Sequence, residues 1–279
     1  MAQFSDVLLT ADYDRTLTAP DSTIPPRNLE AIRYFIENGG AFTVNTGRSL
    51  AMFRPHIPEI PVSAPFLLYN GCAAYDPKTD ELSLLHPIAL EPWEVLDNVM
   101  AHFPDLLLEV QAPDAHYCCT EDAGWAAYYE SGGYAHRFAV HGQPFEPFLK
   151  FAVMGKVNAG GVSQVYSGTP QELRRMDEVE NWLRATYGDT VEVLRSSPRL
   201  VDVNTKGITK IFSARQLQKE LGRKILVCVG DAENDREMLS GADFAYCPAD
   251  GGIAADFPNV CPCAQGAVAD VIYNEIPKI

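Results

Sequence analysis

Short runs of consecutive apolar residues alternate with stretches of three- and four-residue apolar spacing over roughly the first ninety and the last eighty residues. Val7-Leu8-Leu9-Thr10-Ala11 has the near-continuous apolar character of a strand buried on both faces. Leu29, Ile32, Phe35 and Ile36 fall on one face of a helix that Gly39-Gly40 should stop. Phe42-Thr43-Val44 and Phe66-Leu67-Leu68-Tyr69 read as the next strands, and Tyr75 to Asp80 is turn chemistry between short strands. Towards the C-terminus, Ile208, Ile211, Phe212 and Leu217 give a helical stripe ending at Gly222. Ile225 to Val229 is the clearest buried strand in the chain. A helix through Met238 and Leu239, a strand Phe244-Ala245-Tyr246 and a helix carrying Val268, Val271 and Ile272 follow. Strands alternating with helices predict an α/β fold, a Rossmann-like doubly wound parallel sheet.

The middle of the chain departs from this rhythm. From about residue 87 to 196 it is rich in aromatic residues with irregular spacing. Thr169-Pro170-Gln171-Glu172 is a capping box with Pro in the first turn. Leu173, Met176, Val179, Trp182 and Leu183 continue that helix to Gly188, and Val191 to Leu194 predicts a strand. The block is long enough for its own core, so it is read as an inserted α/β cap domain, residues 87–196. It would interrupt a core domain formed by 1–86 and 197–279, with hinges near 86 and 196.

Composition narrows the classes. The 279 residues are 47% hydrophobic and 21% charged, an ordinary globular balance. The net charge of −15 gives no basic footprint for nucleic acid and disfavours an anionic membrane surface, so neither partner is expected. No apolar run is long enough for a transmembrane helix, and Met1 to Thr10 lacks a basic region and an apolar signal core. The seven cysteines form no metal-knuckle spacing and are expected as reduced structural thiols. A cytoplasmic location is therefore expected; oligomeric state is unreadable.

Four short segments carry candidate chemistry, each at a strand end or a helix start. Asp12-Tyr13-Asp14-Arg15-Thr16 follows the first strand, where open α/β sheets place their sites. Two carboxylates so close repel unless a cation or a shared proton relieves them, and Mg2+ does so with oxygen ligands. Thr46-Gly47-Arg48 follows the second strand, where a hydroxyl and backbone N–H groups can hold phosphate oxygens, or simply cap the next helix. Lys206 and Lys210 flank Gly207-Ile208-Thr209, and a lysine at a helix start is electrostatically misplaced. Gly230-Asp231-Ala232-Glu233-Asn234-Asp235 follows the clearest strand. Each is weak alone; an acidic turn, a helix cap or a solvated lysine would explain any one of them.

Together, in this order, they resemble the haloacid dehalogenase (HAD) superfamily of aspartate-nucleophile phosphatases, and most closely its Cof-type branch with a large α/β cap inserted between the Thr and Lys motifs. The resemblance spans essentially the full length and includes Asn70-Gly71 after the third strand. It implies a Mg2+-dependent phosphatase acting on small phosphoesters, sugar phosphates foremost. Asp12 would be the nucleophile and Asp14 the general acid and base. Thr46 and Lys210 would hold the phosphoryl oxygens, with Lys206 the competing lysine. Mg2+ would be held by Asp12, the carbonyl of Asp14 and Asp231, with Asn234 and Asp235 in support. Gly47, Arg48, Asn70 and Gly71 would bind substrate, Arg48 contacting the substrate's distal group. Arg15 departs from the family's usual glycine; larger residues are tolerated there in parts of the family, so the chemistry is unaffected while the loop conformation is left open.

Three rivals are weighed. A sugar phosphomutase would use the same aspartyl-phosphate. A catalytically silent phosphate-binding scaffold would keep the fold without turnover, although every motif residue is present. A receiver-type module would need its second acidic position before the Thr. The histidines, His56, His86, His102, His116, His136 and His141, show no ligand spacing and receive no role. Trp125, Tyr128 and Tyr129 are expected in the cap core rather than in a sugar pocket.

Overall fold

A computed structural model describes residues 3–156 and 168–279 of the chain. It divides into two compact units, one of Met1–Gly47, His56–Leu84 and Thr209–Ile279, the other of Arg48–Pro55 and Leu85–Ile208.

The first unit begins with β1 (Val7–Ala11), every residue of which is buried. Helix α1 (Pro26–Glu37) starts on a proline at its first position, where the missing N–H has no intrahelical partner to lose. It buries Ala31, Ile32 and Phe35 and ends at Asn38 before Gly39 turns with φ 91°. β2 (Ala41–Val44) follows. The short turn α2 (Leu50–Phe53) belongs with the second unit. β3 (Phe66–Leu68), β4 (Ala73–Asp76) and β5 (Glu81–Ser83) form an antiparallel sheet, which a parallel bridge from Asn45 to Leu67 joins to β2.

The second unit carries α3 (Pro92–His102), β6 (Leu107–Gln111), β7 (His116–Cys118), α4 (Ala123–Gly132), β8 (His136–Phe138), β9 (Phe151–Met154), α5 (Pro170–Tyr187), β10 (Val191–Ser197) and β11 (Leu200–Thr205). Its six strands run in the order β10-β11-β9-β6-β7-β8. Alternation along the strands separates two faces. Leu108, Val110, Phe151, Val153, Val201 and Val203 join a core with Val95, Leu96 and Val99 of α3 and Met176, Val179 and Leu183 of α5. Leu107, Ala152 and Met154 join a second cluster with Trp125 and Tyr129 of α4. The capping box forms as expected, Glu172 N–H to Thr169 Oγ1 and Thr169 N–H to Glu172 Oε2. Trp125 and Tyr129 are buried in the apolar cluster, in line with the core reading.

The chain then returns to the first unit with α6 (Lys210–Glu220), β12 (Ile225–Val229), α7 (Arg236–Ser240), β13 (Phe244–Pro248), β14 (Asn259–Val260) and α8 (Ala267–Asp270). The parallel sheet has the order β14-β13-β12-β1-β2. Leu8, Leu226 and Cys228 pack with Ala214 and Leu217 of α6 and Met238 and Leu239 of α7. The molecule is thus an α/β fold with a parallel core sheet and an additional mixed sheet, as the sequence predicts.

Two segments fall differently from the expected boundaries. Residues 197–208, expected with the core, pair with the second unit: β11 lies antiparallel between β10 and β9, so a cut at 196 would split a hairpin. Residues 48–55 also group with the second unit although they lie between core strands in sequence.

Candidate active site

Register brings the motifs together. β1 lies between β12 and β2, with Ala11 opposite both Val229 and Val44. Three strands therefore end on one row, and the next residues, Asp12, Gly230 and Asn45, emerge at one sheet edge. The backbone continues the ladder for one step, with Asp12 N–H donating to Val229 O and Asn45 N–H to Ala11 O, both at 2.9 Å.

Asp12 is 6% exposed and Lys210 3%. Lys210 Nζ donates to Asp12 Oδ1 and to Asp235 Oδ1, each at 2.6 Å. Thr16, to which no role is assigned above, donates its hydroxyl to Asp231 Oδ1 at 2.9 Å. Asp235 Oδ2 accepts the N–H groups of Asp231 (3.1 Å) and Ala232 (3.2 Å), which folds the turn after β12 back on itself. That fold needs Gly230: a Cβ there would lie 2.6 Å from Asp235 Cβ. Asn234 is half-buried in the same turn. Asn45 Nδ2 donates to the carbonyl of Lys210 at 2.8 Å and so fixes the start of α6, whose N-cap is Thr209. The signal for Asn45 and Thr16 was present only as polar residues in otherwise apolar or motif-bearing runs.

Thr46, Gly47, Asn70, Gly71 and Asp14 also lie in the first unit. Thr46 is buried, and its carbonyl accepts the N–H of Asn70 at 3.1 Å. Asn70 is buried with φ 57°. Gly47 and Gly71 permit close approach: a Cβ at 47 would lie 2.7 Å from Asn70 Oδ1, and one at 71 would lie 2.4 Å from the Thr209 carbonyl oxygen. Gly71 is thereby a packing residue between the turn after β3 and the start of α6. Asp14 is half-buried in the turn after β1, and Arg15 is exposed. Arg15 has φ 61° and ψ 10°, the conformation a glycine would adopt without strain. Arg48 lies with the second unit, where its Nη1 donates to Tyr134 Oη at 3.2 Å. Lys206 is also in that unit, exposed and 3.5 Å from Glu192. Of the two candidate lysines, Lys210 is the one at the carboxylates.

The electrostatics follow from burial. One oxygen from each of Asp12, Asp231 and Asp235 lies within 4.8 Å of the other two. Burial raises the Asp12 carboxyl well above the usual range; Lys210 opposes this, while Asp235 and Asp231 add to it. Burial, and then Asp235, push Asp231 up to about 7, against the Thr16 hydrogen bond. Burial disfavours the Lys210 ammonium, yet Asp12 and Asp235 more than offset it and hold the group charged. Three carboxylates against one ammonium leave a negative excess in a water-poor site. A hard divalent cation such as Mg2+ fits that donor set of carboxylate oxygens. The site can therefore bind such a cation and present a carboxylate to an electrophile.

Comparison with known proteins agrees with the motif order. The family model described as haloacid dehalogenase-like hydrolase matches residues 9–252. A 5-amino-6-(5-phospho-D-ribitylamino)uracil phosphatase of Bacillus subtilis is 22% identical over 240 residues, covering 84% of this chain and 80% of that protein. Among solved structures, a haloacid dehalogenase-like hydrolase from Bacteroides thetaiotaomicron has a TM-score of 0.76 at 20% identity, covering 95% of this chain and 97% of that one. A HAD subclass IIB sugar phosphatase has a TM-score of 0.72 at 17% identity, covering 95% and 97%. With a family match from β1 to beyond β13 and its motif residues gathered at one sheet edge, the chain belongs to the haloacid dehalogenase-like hydrolases.

Proposed function

We propose that the protein is a Mg2+-dependent phosphatase acting on small phosphorylated metabolites, with sugar phosphates the leading class, through an aspartyl-phosphate. The observation that carries this reading is the 2.6 Å contact of Lys210 Nζ with Asp12 Oδ1 inside the buried carboxylate cluster. The phosphatase relative and the sugar phosphatase neighbour support the substrate class.

In this reading the second Asp12 oxygen attacks phosphorus in line with the ester oxygen, forming one P–O bond as the ester P–O bond breaks. Asp14 gives its proton to the departing alkoxide. The Asp14 carboxylate then takes a proton from water as the water oxygen attacks phosphorus, releasing phosphate and restoring Asp12. Lys210 and Thr46 hold the equatorial oxygens, where most of the stabilisation of the transition state resides. Asp12, the Asp14 carbonyl and Asp231 would hold Mg2+, with Asn234 and Asp235 orienting that set. The ion supplies charge neutralisation of the phosphoryl group. The local positive charge of Lys210 and the cation is how a chain of net charge −15 accepts an anionic ester. The second unit would act as the cap, and Arg48, directly after Gly47 in the chain, would contact a substrate's distal group.

The test is a phosphoester panel with purified protein and Mg2+, read as released phosphate. Turnover of one or more sugar phosphates, abolished by EDTA and restored by Mg2+, is expected. Turnover surviving exhaustive chelation would remove the metal from the reading. Stimulation by a sugar bisphosphate with little free phosphate would replace hydrolysis by a mutase reaction. No turnover of any ester would leave a silent scaffold.

A further inference from the structure

In the second unit a chain of polar groups is buried together. Ser49 Oγ and His116 Nε2 are 2.6 Å apart. His116 Nδ1 is 3.4 Å from Glu109 Oε1. The same carboxylate accepts Gln111 Nε2 at 2.7 Å and the Tyr129 hydroxyl. Ser49, His116, Glu109, Gln111 and Tyr129 are all at most 4% exposed. A nucleophile-type hydroxyl, an imidazole and a carboxylate in this order resemble a hydrolytic triad, but Ser49 is completely buried and its oxygen already accepts the Met52 N–H at 3.1 Å. The arrangement orients rather than attacks.

What it orients is the segment after Thr46-Gly47. Glu109 is held below the usual glutamate range despite burial, first by the facing His116 imidazole and then by the hydrogen bonds from Tyr129 and Gln111. The His116 ring thus lies with Nδ1 facing Glu109 and Nε2 facing Ser49. Ser49 caps α2, and Met52 of that turn packs against the cluster holding Leu107, Trp125 and Tyr129. The preceding residue, Arg48, is 8% exposed, with its guanidinium bonded to Tyr134 Oη and 5.9 Å from that ring's centroid. Consecutive residues 48 and 49 are therefore gripped from two separate places, residue 134 and β7.

We infer that His116 is a positioning residue, acting through Ser49 to hold the segment 48–53 so that Arg48 is presented in one conformation. The functional half rests on the reading of Arg48 as a substrate contact. Glu109 and Tyr129 fix the imidazole, and Tyr134 fixes the guanidinium.

The full chain is tested as His116→Ala, Ser49→Ala, His116→Gln, Arg48→Ala and the double variant of 48 and 116. Amide hydrogen exchange of residues 50–53 is independent of activity and should speed up about tenfold in His116→Ala and Ser49→Ala. His116→Gln, which can still bridge Glu109 and Ser49, should restore most of the protection. With the best sugar phosphate of the panel, His116→Ala and Arg48→Ala should each raise KM about fivefold with kcat within about twofold. The double variant should be no worse than Arg48→Ala alone. Unchanged exchange at 50–53 overturns the inference whatever the activity. A raised KM in Arg48→Ala with an unmoved KM in His116→Ala and Ser49→Ala overturns it too and leaves Arg48 as a contact. An unmoved KM in Arg48→Ala defeats the reading of Arg48 and the functional half together. Should His116→Ala not fold, Ser49→Ala breaks the same relay from its other end.

Discussion

Lys210 and Asp12, 198 residues apart, meet through a 2.6 Å hydrogen bond in a site nearly closed to water. The lysine is shared with Asp235, so it compensates two carboxylates at once. Asp231 answers to Thr16 instead. This division of partners leaves distinct consequences for each residue.

Asp12→Asn should lower turnover by at least about a thousandfold, since it removes the attacking oxygen. The fold should survive, because Lys210 keeps Asp235 and one buried charge disappears. Phosphate release beside a circular-dichroism melt checks both halves.

Lys210→Ala should abolish turnover and destabilise the metal-free protein by about 3–5 kcal/mol, the scale of leaving buried charge uncompensated. Added Mg2+ should recover part of that, through binding to the folded state alone. Lys206→Ala, at an exposed position, should stay within about 0.5 kcal/mol of wild type and keep full activity. Melting curves with and without Mg2+ would reveal an exchanged role for the two lysines.

The raised pKa of Asp231 gives a pH effect of defined sign. Its folded value near 7 lies above the unfolded value near 3.8, so the folded state binds the extra proton between them. Metal-free stability from this group is present at low pH and lost as pH rises through about 4 to 7. Paired carboxylates elsewhere, such as Asp105 and Asp243, are lowered and act in the opposite direction. The comparison is therefore wild type against Asp231→Asn. The variant should be the more stable at pH 8, by up to about 4 kcal/mol, and the two should converge near pH 4. Mg2+ should narrow the gap at pH 8 by favouring the ionised form. Denaturant titrations at both pH values measure it.

Arg15→Gly should relieve the left-handed conformation at φ 61°. For a non-glycine residue that conformation costs about 1–2 kcal/mol, part of which the greater freedom of an unfolded glycine cancels. A net stabilisation of up to about 1 kcal/mol, read as a higher midpoint in urea, is expected with phosphate release retained.

The sequence by itself determined whatever depends on neighbours along the chain. The apolar runs 7–11 and 225–229 are central strands because a segment apolar on both sides must be covered on both faces. The Thr169–Glu172 box closes over four residues, so its hydrogen bonds are legible from spacing alone. The order of the four motifs was likewise enough to recognise the family. The strands β6 to β9 were not visible, because they are short and their order is set by pairing between distant segments, β6 with β9 and β9 with β11. The tertiary structure alone decided which lysine reaches Asp12, since that depends on the register placing β1 between β2 and β12 and on Asn45 anchoring the start of α6. It alone revealed His116, whose partners Ser49 and Glu109 come from separate segments with no shared spacing. Hydrogen bonds, burial and charge compensation between distant residues are properties of proximity in space, and proximity is what a linear pattern of polar and apolar positions does not contain.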